Sequence, residues 1–181
     1  MSKDLAIKYW NNHFQTMIDE KAAATDTIPS AWRAGGRASK AYPEKENDIW
    51  WQDNGPKMVD NFIQWWRNNK WSVWNHNGVL QVEPEYNVMF GDVLIKSFID
   101  LVAVTPNGDI AIVDYKSGTY MPDTNMQLGL YACAVQSVTG TRPTKGYFYN
   151  ARKGTMEDAG DLSRWTVQLF TELFYQFNKG V

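Results

Sequence analysis

The sequence predicts an α/β fold: a central mixed β-sheet flanked by helices, with an N-terminal helical region ahead of it. Three observations predict it. Apolar residues recur at helical spacing through most of residues 1–70. Two apolar runs of strand length, 98–104 and 110–118, flank a Pro106-Asn107-Gly108-Asp109 turn and read as a β-hairpin. Beyond them, a helical, a strand and a second helical pattern follow in turn. At 181 residues the chain fits one domain, with 1–70 helical and 71–181 bearing the sheet.

The elements follow in order. Residues 4–25 form a helix with a stripe of Leu5, Tyr9, Phe14, Met17, Ile18 and Ala22, capped by Ser2 or Asp4. Residues 26–47 are punctuated by Pro29, Gly35-Gly36 and Pro43 and read as a loop. That loop interleaves Arg33, Arg37, Lys40 and Lys45 with Trp32 and Tyr42. It either meets a phosphate backbone and stacks on bases, or its aromatics pin it to the body. A second helix covers 48–69, with Gly55-Pro56 as a point of breakage or restart.

Residues 71–74 form a short strand, and 75–78 an Asn-Gly turn. A strand over 79–90 contains Pro84, which confines it to an edge or a bulge. Gly91-Asp92 turns the chain into 93–104 and the hairpin. A helix over 124–138 is capped by Asp123 or Thr124 and ended by Gly140. Residues 145–151 alternate as a strand, and Asp161-Leu162-Ser163 opens a last helix to residue 178.

Composition excludes several chemistries. The single cysteine, Cys133, rules out an intrachain disulfide and a cysteine-held zinc or iron–sulfur centre, and suits a reducing compartment. The two histidines, His13 and His76, lack metal-ligand spacing. No stretch is apolar enough to cross a membrane, and the N-terminus lacks a signal-peptide core, so the expected location is cytoplasmic. A net charge of −2 leaves room for a local basic groove.

The chemistry lies in the hairpin. Side chains alternate along a strand, so Asp114 and Lys116 share a face with Ile110 and Ile112. An antiparallel turn near Asn107 brings Asp100 opposite the Asp114 end. Carboxylates inside apolar runs cost several kcal/mol unless they are paired or bind metal. A cross-strand Asp–Lys pair is the structural alternative. Mg²⁺ takes one or two carboxylates and keeps waters, so Asp100, Asp114 and the main-chain oxygen of Tyr115 could hold Mg²⁺ or Mn²⁺. Glu83, or Glu85 in its place, could add a third carboxylate. Such an ion acidifies a water and polarises a phosphodiester, while Lys116 holds the water or stabilises the transition state.

Asp100, thirteen intervening residues, and then Asp114-Tyr115-Lys116 resemble the signature of the PD-(D/E)XK nucleases. Ile99-Asp100-Leu101-Val102, Ile112-Val113-Asp114-Tyr115-Lys116-Ser117-Gly118 and Gln127-Leu128-Gly129-Leu130-Tyr131-Ala132 together resemble the RecB-like branch, over roughly 79–152. The resemblance implies a restriction-endonuclease-like core, with Asp100 and Asp114 as metal ligands and Lys116 as catalytic lysine. By the same resemblance Gln127 and Tyr131 line the site, and Glu83 matches the upstream acid better than Glu85. Unlike many RecB-like relatives, residues 48–69 carry no histidine. The implied activity is an Mg²⁺- or Mn²⁺-dependent exonuclease on DNA ends or single-stranded tails in recombination, repair or phage replication. If phage-encoded, it would work in the host cytoplasm. A structure-specific or restriction-like endonuclease, or a non-catalytic DNA-binding module, remains open, as does a homo-oligomer or a partner protein.

Overall fold

The computed structural model describes residues 2–43 and 45–180. They form two compact units, one of 1–65 with 151–154 and one of 66–150 with 155–181.

The first unit is built on two helices. Helix α1, Lys3–Thr25, starts where Ser2 Oγ accepts the Leu5 N–H (3.2 Å) and stops where Asp26 turns left-handed. Its half-buried ridge is Trp10, Phe14, Ile18 and Ala22, at strict fourth-residue spacing. Leu5, Tyr9 and Met17, expected in the apolar stripe, are exposed. Helix α2, Asp48–Asn69, is opened by Asn47, whose Oδ1 accepts the Trp50 N–H (3.1 Å). It runs unbroken through Gly55-Pro56. Pro56 gives no N–H to the helix, yet it does not end it, because packing of Gly55 holds this turn. An added Cβ on Gly55 would overlap the Trp10 ring, so the missing side chain is what lets α1 and α2 approach.

The segment between these helices is tied down rather than free. Tyr42 OH donates to Asp53 Oδ2 (3.0 Å), and Trp32 Nε1 donates to Thr27 Oγ1 (2.7 Å). Arg152 grips Glu46 with two hydrogen bonds (3.1 and 2.8 Å) and lies 4.6 Å over the Trp50 ring.

The second unit carries a five-stranded mixed sheet. Its strands are β1 (Ser72–Val73), β6 (Leu101–Val104), β7 (Ile110–Lys116), β8 (Lys145–Asn150) and β9 (Thr155–Asp161), side by side in that order. The β7–β8 pair is parallel and the others are antiparallel. Two two-stranded ribbons accompany it: β2 (Asn75–His76) with β3 (Val79–Leu80), and β4 (Glu85–Phe90) with β5 (Val93–Phe98). Helix α3, Met126–Thr139, is the crossover from β7 to β8, and α4, Val167–Lys179, closes the chain. The architecture is restriction-endonuclease-like, as the resemblance implied.

Strand β7 explains where the core sits. Ala111, Ile112, Val113 and Asp114 are all buried, the continuous pattern of a strand covered on both faces. Ile112 and Phe148 pack with Leu128, Ala132 and Val135 of α3, and with Ile99, Leu162 and Phe170. Helix α3 is apolar nearly all round, which suits a buried crossover.

The strand expected over 93–104 is broken. The chain leaves the β4–β5 ribbon after Phe98, bends at Ile99-Asp100 and enters the central sheet as β6. The strand expected over 79–90 breaks likewise at 81–84, where Pro84 withholds a donor and Glu83 has φ 48°. The last helix begins at Val167, with Thr166 Oγ1 accepting the Leu169 N–H (3.1 Å), rather than near Asp161. Residues 155–161 form strand β9 instead, although Asp and Gly are poor strand formers. The open edge of β8 recruits them.

Candidate active site

The hairpin register pairs Leu101 with Val113 and Val104 with Ile110. Thr105 N–H donates to the Asp109 carbonyl (2.9 Å), and Gly108, at φ 88°, supplies the left-handed turn position. Continuing that register one step sets Asp100 opposite Asp114. Because the chain bends at Ile99-Asp100, the ladder has no further backbone to offer the Tyr115 N–H. The Asp100 carboxylate takes that place, accepting the Tyr115 N–H at 2.6 Å. Along a strand the N–H and C=O of one residue point to the same side, so the Tyr115 carbonyl also faces Asp100.

Asp114 projects from the α3-covered face of β7 and is 4 % exposed. Lys116 Nζ stands 2.5 Å from Asp114 Oδ2. The approach is off the axis of a regular hydrogen bond, so this oxygen is buried with a charge partner but no aligned donor among the described residues. Burial pushes the Asp114 carboxyl above the usual range, Lys116 pulls it back, and the charge of Asp100 raises it further. Burial prevails.

Helix α3 supplies the next contacts. Gln127 Oε1 accepts from Lys116 Nζ (3.3 Å), while Gln127 Nε2 donates to Tyr131 OH (2.8 Å). The two residues are one helical turn apart, which sets that second distance. Phe148, in register with Asp114, lies under the lysine, with Nζ 5.7 Å from its ring centroid. A chain of contacts thus runs Asp114–Lys116–Gln127–Tyr131, and Asp100 joins it through the Tyr115 backbone.

Glu83 and Glu85 fall differently. Glu85 is exposed on the β4–β5 ribbon and pairs with Lys96 (2.9 Å) and Asn87 (3.0 Å). Glu83 lies beside Asp100 along the backbone, its N–H donating to the Asp100 carbonyl (3.0 Å). Its positive φ is a conformation that a non-glycine residue seldom holds without local reason. Its charge reaches the Tyr115 hydroxyl, which burial first, then Asp100, Tyr149 and Glu83, push well above the ordinary phenol value. Among the described residues no three carboxylate, imidazole or thiolate groups cluster tightly enough to hold a metal by themselves.

A family model for the PD-(D/E)XK nuclease superfamily matches residues 7–174. The chain belongs to the PD-(D/E)XK nuclease superfamily. It is 26 % identical over 198 aligned positions to the Gene 69 protein of Mycobacterium phage D29, covering 97 % of this chain and 71 % of that one. PD-(D/E)XK nucleases generally use divalent metals, and the donor set here suits one. Asp100 and Asp114 stand opposite each other at the end of the β6–β7 register, and one Asp114 oxygen is buried without an aligned donor. The β6–β7 hairpin brings Asp100, Asp114 and Lys116 to one end, and α3 adds Gln127 and Tyr131. No helix of the described residues is long and apolar enough to cross a membrane.

Sequence reasoning passed over one buried neighbour. Asn150, 1 % exposed, is in register with Lys116 across β7–β8. It ends an aromatic strand, and a polar residue at a strand end gives no signal of burial until the crossover is placed.

Proposed function

We propose that this chain is an Mg²⁺- or Mn²⁺-dependent deoxyribonuclease, a RecB-like exonuclease that hydrolyses DNA from its ends in recombination, repair or phage replication. The contact of Asp114 with Lys116, beside Asp100 at the end of the β6–β7 hairpin, carries this reading. Asp100, Asp114 and the Tyr115 carbonyl would hold the cation. When bound, it polarises a phosphodiester and lowers the pKa of a water. The chain's own part is positioning and charge. Asp114 and Gln127 hold the Lys116 ammonium where it can orient a water or meet charge developing on the phosphate. Tyr131 fixes the Gln127 amide, so its carbonyl oxygen faces the lysine. Phe148 and the apolar cover of α3 keep the Asp114 carboxylate away from water, which strengthens its interaction with Lys116.

End-labelled linear DNA, incubated with Mg²⁺ or with EDTA, tests the reading, and covalently closed circles separate end-dependent from internal cutting. Metal-stimulated loss of linear but not circular DNA is expected, abolished by Asp114→Asn. Digestion that survives Asp114→Asn would remove the assignment of the site.

A further inference from the structure

The first unit contains a cleft of about 230 Å³ whose lining shares no residue with the carboxylate–lysine site. Phe14, Met17 and Ile18 form its floor, with Lys21 one turn further along the same face of α1. Met17 is apolar yet 53 % exposed. Trp32 and Trp51 supply its aromatic walls. Both rings are held: Trp32 by Thr27 and by Lys21 Nζ, 4.3 Å over its ring, and Trp51 edge-on to Trp50 at 4.9 Å. The volume falls below the ~300–1,000 Å³ of sites for drug-sized ligands, and is too small for a partner's helix or strand. A single planar ring system fits.

Charge narrows the ligand. Two acids also line the cleft. Arg152 neutralises Glu46, and Asp48 lies in the first turn of α2, where the helix dipole favours it. Two cations also line the cleft: the Arg33 guanidinium, and the Lys21 ammonium that lies against Trp32. Arg33 is exposed and makes no hydrogen bond, ion pair or ring contact among the described residues. Aromatic walls with cations beside them take a stacked base and its phosphate.

We propose that this cleft holds one unpaired nucleotide of a single-stranded DNA tail, its base against Trp32 and Trp51 and its phosphate on Arg33 and Lys21. The inference rests on the reading of the chain as a DNA-cutting enzyme. A free mononucleotide offers the same chemistry, so the test includes both.

The full chain carrying Lys116→Met, in EDTA, is titrated with a fluorescent oligothymidylate. The same oligonucleotide carrying 4-thiothymidine is photocrosslinked, and the adduct is mapped by mass spectrometry. Adducts on peptides holding Trp32 or Trp51 are expected. Trp51→Ala and Arg33→Glu should each weaken binding, by about 5- to 150-fold for a lost base stack. Thymidine monophosphate should compete only at concentrations far above the oligonucleotide. If circular dichroism shows Trp51→Ala to be unfolded, the exposed Arg33→Glu decides alone. Adducts confined to residues 66–150, unchanged binding by Arg33→Glu, or displacement by equimolar thymidine monophosphate would each overturn the proposal. Metal-dependent digestion by the wild type alongside any of these would leave the nuclease reading standing. Adducts in the cleft without any digestion by the wild type would remove that reading and keep the cleft.

Discussion

Replacing Lys116 with methionine isolates the electrostatics of the site. Methionine keeps much of the stem that lies over Phe148 and removes the ammonium, with its charge beside Asp114 and its donor to Gln127. Asp114 then stays buried without the ammonium 2.5 Å away. Removing one member of a buried pair costs about 3–5 kcal/mol. Lys116 keeps 25 % of its side-chain exposure, so solvent screens part of the interaction and about 2 kcal/mol is a fair expectation.

The cost depends on pH. Burial already holds the folded Asp114 carboxyl above its unfolded value, and losing Lys116 removes the contact that lowered it. Below the unfolded value, both states are protonated and the substitution costs little. As pH rises, the unfolded chain releases its proton first, near pH 4, and the folded state loses ground until Asp114 also ionises. The variant extends that loss to higher pH than the wild type. For a chain of this size 1 kcal/mol moves Tm by about 2–4 °C, so the deficit should approach about 4–8 °C at pH 8 and shrink toward zero near pH 4. Scanning calorimetry of both proteins in EDTA, from acid to pH 8.5, measures it. A deficit that is equal at both ends would show that the Asp114 charge is not coupled to Lys116, and the electrostatic account of the site would fail.

Other substitutions probe the frame around that pair. Asp100→Asn retains an acceptor for the Tyr115 N–H and should fold normally while losing cleavage. Asp100→Ala loses a charge-assisted bond as well, at a cost of about 1.5–3 kcal/mol, with faster hydrogen exchange at the Tyr115 amide. Mg²⁺ at a hundred times its Kd should stabilise the wild type by about 2.7 kcal/mol, and Asp114→Asn should lose most of that gain in a thermal-shift assay. Gly55→Ala should destabilise by about 1–3 kcal/mol in urea titrations despite alanine's better helix propensity, because its methyl would overlap the Trp10 ring.

The meeting of Asp100, Asp114 and Lys116 was legible because strand periodicity and one turn set the hairpin register, and Gln127 with Tyr131 was legible because helical spacing does the same. The unbroken α2 was not, since the packing of Gly55 on Trp10 is a contact between distant residues. Strand β9 was hidden because its pairing comes from the edge of β8 and not from its own residues. The break at Ile99-Asp100 matters most. Read as one strand, residues 98–104 bury a carboxylate in mid-run, a cost with no visible return. In the fold, Asp100 stands where the chain passes from one sheet to another, half-buried, with its carboxylate replacing the missing backbone partner of Tyr115. The desolvation then falls mainly on Asp114, deep in a strand covered on both faces, and that unequal division explains why Lys116 and its support from α3 are aimed at Asp114.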